Sequence, residues 1–222
     1  MSARTAEYLE AIEHLPAGGM LVFHQVSWEE YESLVEDLQE SWPGVRVTYN
    51  DGRLEIMSPT PEHERYKEFI LQLVRALAEE LDIPLEPFGS TTWKRRKLRK
   101  GTEPDTCFYL TNIERIIQKR RITLETDPPP DIVVEIDITS ESGSKFAIYA
   151  AFGVPEIWLY DGNHVQLFQR TDDRSYAEIS ASRFLPYLTA AALAEALEAS
   201  KTQGHTAALK AFRERTRAAK KN

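Results

Sequence analysis

The chain has 222 residues, 42% hydrophobic and 28% charged, with a formal net charge of -8. That is enough chain for one substantial core and the composition of a soluble globular domain. The acidic balance argues against a general nucleic-acid coating protein, though not against an enzyme with a local basic patch. No apolar run reaches membrane-spanning length, no signal peptide is recognisable, and Cys107 is the single cysteine. A cytoplasmic, reducing location is expected, without disulfides or a zinc-finger spacing.

Residues 1–20 are expected to be a poorly fixed lead-in. Ser27-Trp28-Glu29-Glu30 has the spacing of a capping box, followed by a helix with Tyr31, Leu34, Val35 and Leu38 on one stripe. Residues 45–49 and 53–57 flank Asn50-Asp51-Gly52, a strong hairpin signal, and Pro43-Gly44 ends the helix before them. After Pro59 and Pro61 a second helix buries Ile70, Leu73, Val74, Leu77 and Leu81, with His63 and Glu64 in its first turn. His63 there is either a cap or a functional group.

Residues 85–110 suggest two strands joined by a basic connection carrying Lys94, Arg95, Arg96, Lys97, Arg99 and Lys100. It is either a solvated hairpin tip or a phosphate-contacting, nucleic-acid-binding arm. Pro104 should open a strand with Asp105 at its mouth. Residues 112–130 form a polar connection. Pro130 then bounds a β-branched strand, Asp131-Ile132-Val133-Val134-Glu135-Ile136-Asp137-Ile138. Alternation puts Ile132, Val134, Ile136 and Ile138 on one face, and Asp131, Glu135 and Asp137 with Val133 on the other. Three like charges on one buried face favour a cation between them, unless that face lies open at a sheet edge.

Residues 139–144 read as a flexible turn before a helix from about Lys145 to Phe152, stopped by Gly153. Strands at 156–160 and 165–170 follow, giving a strand–helix–strand unit. The run 189–221 is Ala-rich and helical with a basic end, read as solvated or as a surface for another chain. The boundaries are 1–20 for the lead-in, 21–190 for the main domain and 191–222 for a C-terminal helical extension.

Two carboxylates on adjacent strands, Asp105 and Glu135, can share a magnesium ion that keeps several waters and takes the rest of its shell from phosphate. Lys145 nearby can orient an attacking water or neutralise developing charge. These are the parts that phosphodiester hydrolysis needs. Another phosphoester or a glycosidic bond could use paired carboxylates too, although nothing here suggests sugar stacking: Trp28 and Trp158 suit core or helix anchors.

Glu103-Pro104-Asp105, then Glu135-Ile136-Asp137, then Lys145, resembles the PD-(D/E)XK nuclease superfamily. More narrowly, residues 27–32, 51–59, His63, 130–140 and 149–158 resemble the bacterial Uma2 family over roughly residues 20–190. The resemblance implies an α/β (α+β), restriction-endonuclease-like mixed β-sheet flanked by helices. It implies an endonuclease with a Mg2+ site (Mn2+ as a substitute) and DNA as substrate. Asp105 and Glu135 match the metal-binding carboxylates, His63 matches a position at the metal, and Asp105, Glu135, Asp137 and Lys145 form the catalytic set. The chain departs from the motif where Asp137 stands in place of a lysine, a role that Lys145 would take over from the next helix. The alternative is a weak or inactive nuclease-fold module that binds nucleic acid or protein, with a homodimer plausible in either case.

Overall fold

The Asn50-Asp51-Gly52 turn sets the geometry of the first layer. Asp51 and Gly52 both adopt positive φ, 45° and 95°, and Asn50 pairs with Arg53, so β2 (Arg46–Asn50) and β3 (Arg53–Met57) are joined by a two-residue turn. The computed structural model describes residues 3–41, 44–138 and 143–221. The expected stop at Pro43 and residues 139–142 of the turn expected at 139–144 lie outside these residues, and the helix that follows begins at Gly143. Preceding the hairpin are α1 (Ala3–Glu13), β1 (Met20–Phe23) and α2 (Trp28–Ser41). Strands β5 (Trp93–Arg95) and β6 (Lys100–Thr102) complete a five-stranded antiparallel sheet in the order β1-β3-β2-β6-β5.

The capping box forms: the Glu30 amide donates to Ser27 Oγ at 3.2 Å, and the Ser27 amide donates to Glu30 Oε2 at 2.7 Å. Helix α2 buries Tyr31, Leu34, Val35 and Leu38 against Val47, Tyr49, Leu54 and Ile56 of the hairpin. Gly101 on β6 is required by a close approach. A Cβ there would lie 2.0 Å from the Tyr31 hydroxyl oxygen, and Tyr31 is held by stacking on Tyr49. The expected loose lead-in is instead an ordered helix: Tyr8 and Ile12, four apart on α1, are both buried in the same cluster.

The second layer is a six-stranded sheet, order β11-β10-β9-β8-β7-β4, which is mixed because β8 (Ile132–Ile136) pairs antiparallel with β7 (Thr106–Tyr109) but parallel with β9 (Glu156–Tyr160). Helix α5 (Gly143–Phe152) makes the crossover and ends at Gly153, φ 84°, where the Val154 amide donates to Tyr149 O at 3.0 Å. Strands β10 (Val165–Arg170) and β11 (Tyr176–Ile179) continue the sheet, with β4 (Glu86–Pro87) at its other edge. One face carries Ile132, Val134, Ile136 and Trp158, covered by α3 (Pro61–Leu81), α6 (Ala190–Gln203) and α7 (His205–Lys221). The other face packs Cys107, Val133, Tyr149 and Phe152 with Trp93. Trp28 and Trp158 are buried anchors, as expected.

Three further expectations need correction. Residues 85–110 make four short strands instead of two, because Pro87, Gly89, Gly101 and Pro104 interrupt the runs and send the chain from one sheet to the other and back. The polar connection 112–130 contains a short helix α4 (Ile113–Ile116) and buries Ile116, Ile122 and Leu124. The helical run after Thr189 breaks at Gly204, φ 80°, so that α7 folds back and buries Ala208 and Phe212 in the main core. Among the described residues, no helix is long and apolar enough to cross a membrane.

Candidate active site

The site forms where the two sheets meet. Asp105 sits between Pro104 and β7, and its Oδ2 accepts the Ile136 amide across the strand pair at 2.8 Å. That bond fixes the carboxylate beside Glu135, one residue earlier on β8. Both are buried, Asp105 at 1% exposure and Glu135 at 0%. Lys145 and Tyr149, one turn apart on α5, both reach Glu135. Lys145 Nζ donates to Oε2 at 2.7 Å and the Tyr149 hydroxyl donates to Oε1.

From the third side comes His63. Thr60 caps α3, its Oγ1 accepting the His63 amide at 3.1 Å, and Pro61 occupies the first turn. This holds His63 Nε2 3.0 Å from Asp105 Oδ2 and Nδ1 3.5 Å from Glu64. Arg46 of β2 completes the cluster. Its Nη2 donates to Glu64 Oε1 at 3.1 Å, and its Nε lies 3.8 Å from Asp105 Oδ1.

Burial pushes the Glu135 carboxyl up; Lys145 opposes this and the neighbouring Asp105 charge adds to it. For Asp105, burial also raises, but His63 and Lys145 outweigh it and the group is held low. The two carboxylates are thus driven apart in acidity by their surroundings. Burial lowers the His63 imidazole, but Asp105 and Glu64 more than reverse this and bring it up to about 9. In this arrangement the His63 imidazole faces the Asp105 carboxylate, Nε2 lying 3.0 Å from Oδ2. Burial works against the Lys145 ammonium, yet Glu135 and Asp105 hold its pKa above the ordinary value.

The expected residues are thus partly assembled. Asp105, Glu135, Lys145 and His63 converge. Asp137 lies half-buried just past β8, its amide donating to Tyr160 O at 2.8 Å, and its charge adds to those of Glu135 and Asp105 in holding the Lys145 ammonium. Asp131 is at the opposite end of β8 and anchors a loop, accepting the Leu110 and Thr111 amides at 2.7 and 2.9 Å. Most of the basic run is tied down within the chain. Lys94 and Arg96 pair with Glu32, Arg96 also with Glu29, and Arg99 with Asp51. Arg95 donates to Leu124 O and Lys100 to Asn50.

Arg46 and Tyr149 belong to the cluster but not to the expected set. A signal for Arg46 exists: alternation along β2 sends Val47 and Tyr49 into the first core and puts Arg46 and Thr48 together on the face toward the second sheet. Tyr149 is signalled by its four-residue spacing from Lys145.

Carboxylate oxygens are hard donors of the kind that divalent cations take. Two hard carboxylates converge, and Asp105 Oδ1 is buried without a hydrogen-bond partner, leaving it available to an ion. Among the described residues, no group of three or more His, Cys, Asp and Glu side chains is arranged to hold a metal by itself. An ion here would need water and substrate oxygens to complete its shell.

Two interlocking sheets with helices over them, and a buried acid–amine cluster at their junction, define a restriction-endonuclease-like fold. A crystal structure described as a putative nuclease belonging to DUF820, from Anabaena variabilis, superposes with a TM-score of 0.53 at 16% identity, covering 78% of this chain and 99% of that one. The Uma2 family model, described as "Putative restriction endonuclease", matches residues 28–201, and the chain belongs to that family. No curated protein matches the sequence. Membership of this family supports a nuclease acting on nucleic acid.

Proposed function

We propose that this protein is a divalent-metal-dependent endonuclease that hydrolyses DNA phosphodiester bonds. The observation that carries the proposal is the convergence of the Asp105 and Glu135 carboxylates with the Lys145 amine, 2.7 Å from Glu135, in a buried site. Asp105 and Glu135 would hold the ion. Magnesium or manganese, when bound, would acidify water and polarise a phosphoryl oxygen. Lys145 keeps its proton and offers a cation to charge developing on the phosphate. His63 and Arg46 keep Asp105 ionised and oriented, and Tyr149 keeps the Glu135 carboxylate aimed.

The test is cleavage of plasmid and linear duplex by purified protein with magnesium or manganese. The parent should cut, Asp105→Asn and Glu135→Gln should not, and Lys145→Met should lose about 10²–10³ in kcat. Folding of each variant is checked by circular dichroism. A folded parent that never cuts, or a Glu135→Gln variant that cuts equally well, overturns the proposal.

A second reading has its own support. Asp137 stands where the motif has lysine, and both Glu135 oxygens already accept hydrogen bonds from Lys145 and Tyr149. A non-catalytic module of this fold would bind nucleic acid tightly without metal, with affinity falling steeply as salt rises, and would leave every substrate intact.

A further inference from the structure

Behind Glu135 stands a line of buried hydroxyls. Tyr149 gives its proton to Glu135 Oε1. Helix α5 packs against β6, and there the Tyr149 oxygen meets the Thr102 side chain as a hydrogen-bond partner. Thr102 Oγ1 lies in turn 3.1 Å from Thr48 Oγ1 on β2. The register of β2 and β6, which pairs Tyr49 with Gly101, sets these two threonines opposite each other. All four groups are shut off from solvent: Thr48 is 4% exposed, and Thr102, Tyr149 and Glu135 are each 0%.

Proton counting fixes the direction of this chain. A hydroxyl has one proton to give and accepts through its oxygen. Burial, and then the Glu135 charge, drive the Tyr149 pKa far up, so the phenol keeps its proton and aims it at the carboxylate. Thr102 must then donate to Tyr149, and Thr48 to Thr102. All three O–H dipoles point toward Glu135. Aligned hydrogen bonds in a low-dielectric interior polarise one another, and here they favour the ionised carboxylate. The chain starts in the first sheet and ends in the second.

We propose that Thr102, backed by Thr48, is a positioning residue for the metal site: it holds the Tyr149 hydroxyl on Glu135 and so fixes the carboxylate that grips the ion. The proposal rests on the reading of Glu135 as a metal ligand. A carboxylate must be ionised to bind a cation, and losing a group that orients a ligand from behind costs about 10–100-fold in metal affinity. The first sheet thus serves the site through two hydroxyls as well as through Arg46.

The experiment titrates manganese alone into the full chain, with calorimetry reading affinity and urea unfolding without metal reading stability. Thr102→Val keeps the shape and removes the hydroxyl. It should weaken manganese binding by about tenfold or more, and Thr102→Ser should restore it. In a Tyr149→Phe chain, where the link to Glu135 is already cut, Thr102→Val should weaken binding no further. Thr48→Val should act in the same direction but less, and it carries the test if Thr102→Val does not fold. Thr216→Val removes a buried hydroxyl that bonds the Phe212 carbonyl of its own helix, and should leave manganese affinity where it was. Parent-like affinity in a folded Thr102→Val or Thr48→Val chain, even with a lower urea midpoint, overturns the positioning role, as does an undiminished further loss in the Tyr149→Phe chain. The nuclease reading then stands if the parent cuts. A parent that binds manganese with these responses but never cuts DNA overturns the nuclease reading and keeps the positioning role. A parent that binds no manganese overturns both.

Discussion

Glu135 is fully buried, so the groups that reach it set its energetics, Lys145 and Tyr149 among them. Lys145 brings charge and Tyr149 brings a neutral hydroxyl, one to each oxygen. Tyr149→Phe would leave Oε1 without this donor, and a buried carboxylate loses about 1–3 kcal/mol when such a partner goes. The expected result is an earlier urea midpoint with unchanged slope; a midpoint equal to the parent's would show that the hydroxyl contributes nothing net. At this scale the sequence announces the carboxylates and the amine but not their supports. Glu135 and Lys145 stand out because charge on an apolar strand and at a helix start breaks the pattern. Arg46 hides because an arginine opening a strand is ordinary on a surface, and only the second sheet, folded over it, makes it buried. His63 is legible as a first-turn residue, while its partner Asp105, 42 positions later, can be known only from tertiary structure.

Among the elements, α7 shows how charge and packing divide the work. Its apolar face, Ala208 and Phe212, joins the core, and its basic face clasps the end of α3. Arg217 Nη2 lies 2.7 Å and Arg213 Nη1 3.1 Å from Glu80 Oε1, and Arg213 also reaches Glu79. Arg217 is the main cause holding the Glu80 carboxyl down at about 2, against an ordinary 4.5. A carboxyl depressed in the folded state stabilises fully above its unfolded value, and loses that contribution as pH falls from about 4.5 toward 2. Thermal midpoints of parent and Glu80→Gln should therefore differ near neutrality and converge through that window, with added salt shrinking the gap. Parallel curves would show that the pairing contributes nothing to stability. The basic end of this helix was readable as solvated; its pairing was not, because the α3 acids lie more than a hundred residues away. Helices α2 and α3 and the β2–β3 hairpin were legible in detail, since the α2 capping box, the apolar stripes and the turn are local signals. Strands β4 to β6 were not, because two or three residues between glycines and prolines carry no period to detect, whereas β7 was announced by Pro104.

For the whole molecule, the consequential arrangement is that neither sheet owns the site. Arg46 comes from the first, Asp105 and Glu135 from the second, and helices α3 and α5 close it from two sides. The main core also draws on both ends of the second half of the chain: Trp158 and Ile132 share it with Phe212. Phe212→Ala should cost about 3–5 kcal/mol and shift a single cooperative urea transition, followed by tryptophan fluorescence. Two separate transitions would mean that α7 folds as an appendage. At this scale the β8–α5–β9 crossover was legible from local signals and the fold class from the family resemblance, but the division into two sheets was not.

Cys107 opens a practical route into this architecture. It is the single thiol, fully enclosed by the second core, and burial drives its pKa far above the range where a reactive thiolate exists. A fluorophore maleimide would thus find no native target in the folded chain. Cysteines introduced one at a time along the protein surface could be tagged cleanly, turning the path of a bound duplex into a map of quenched and unquenched dyes.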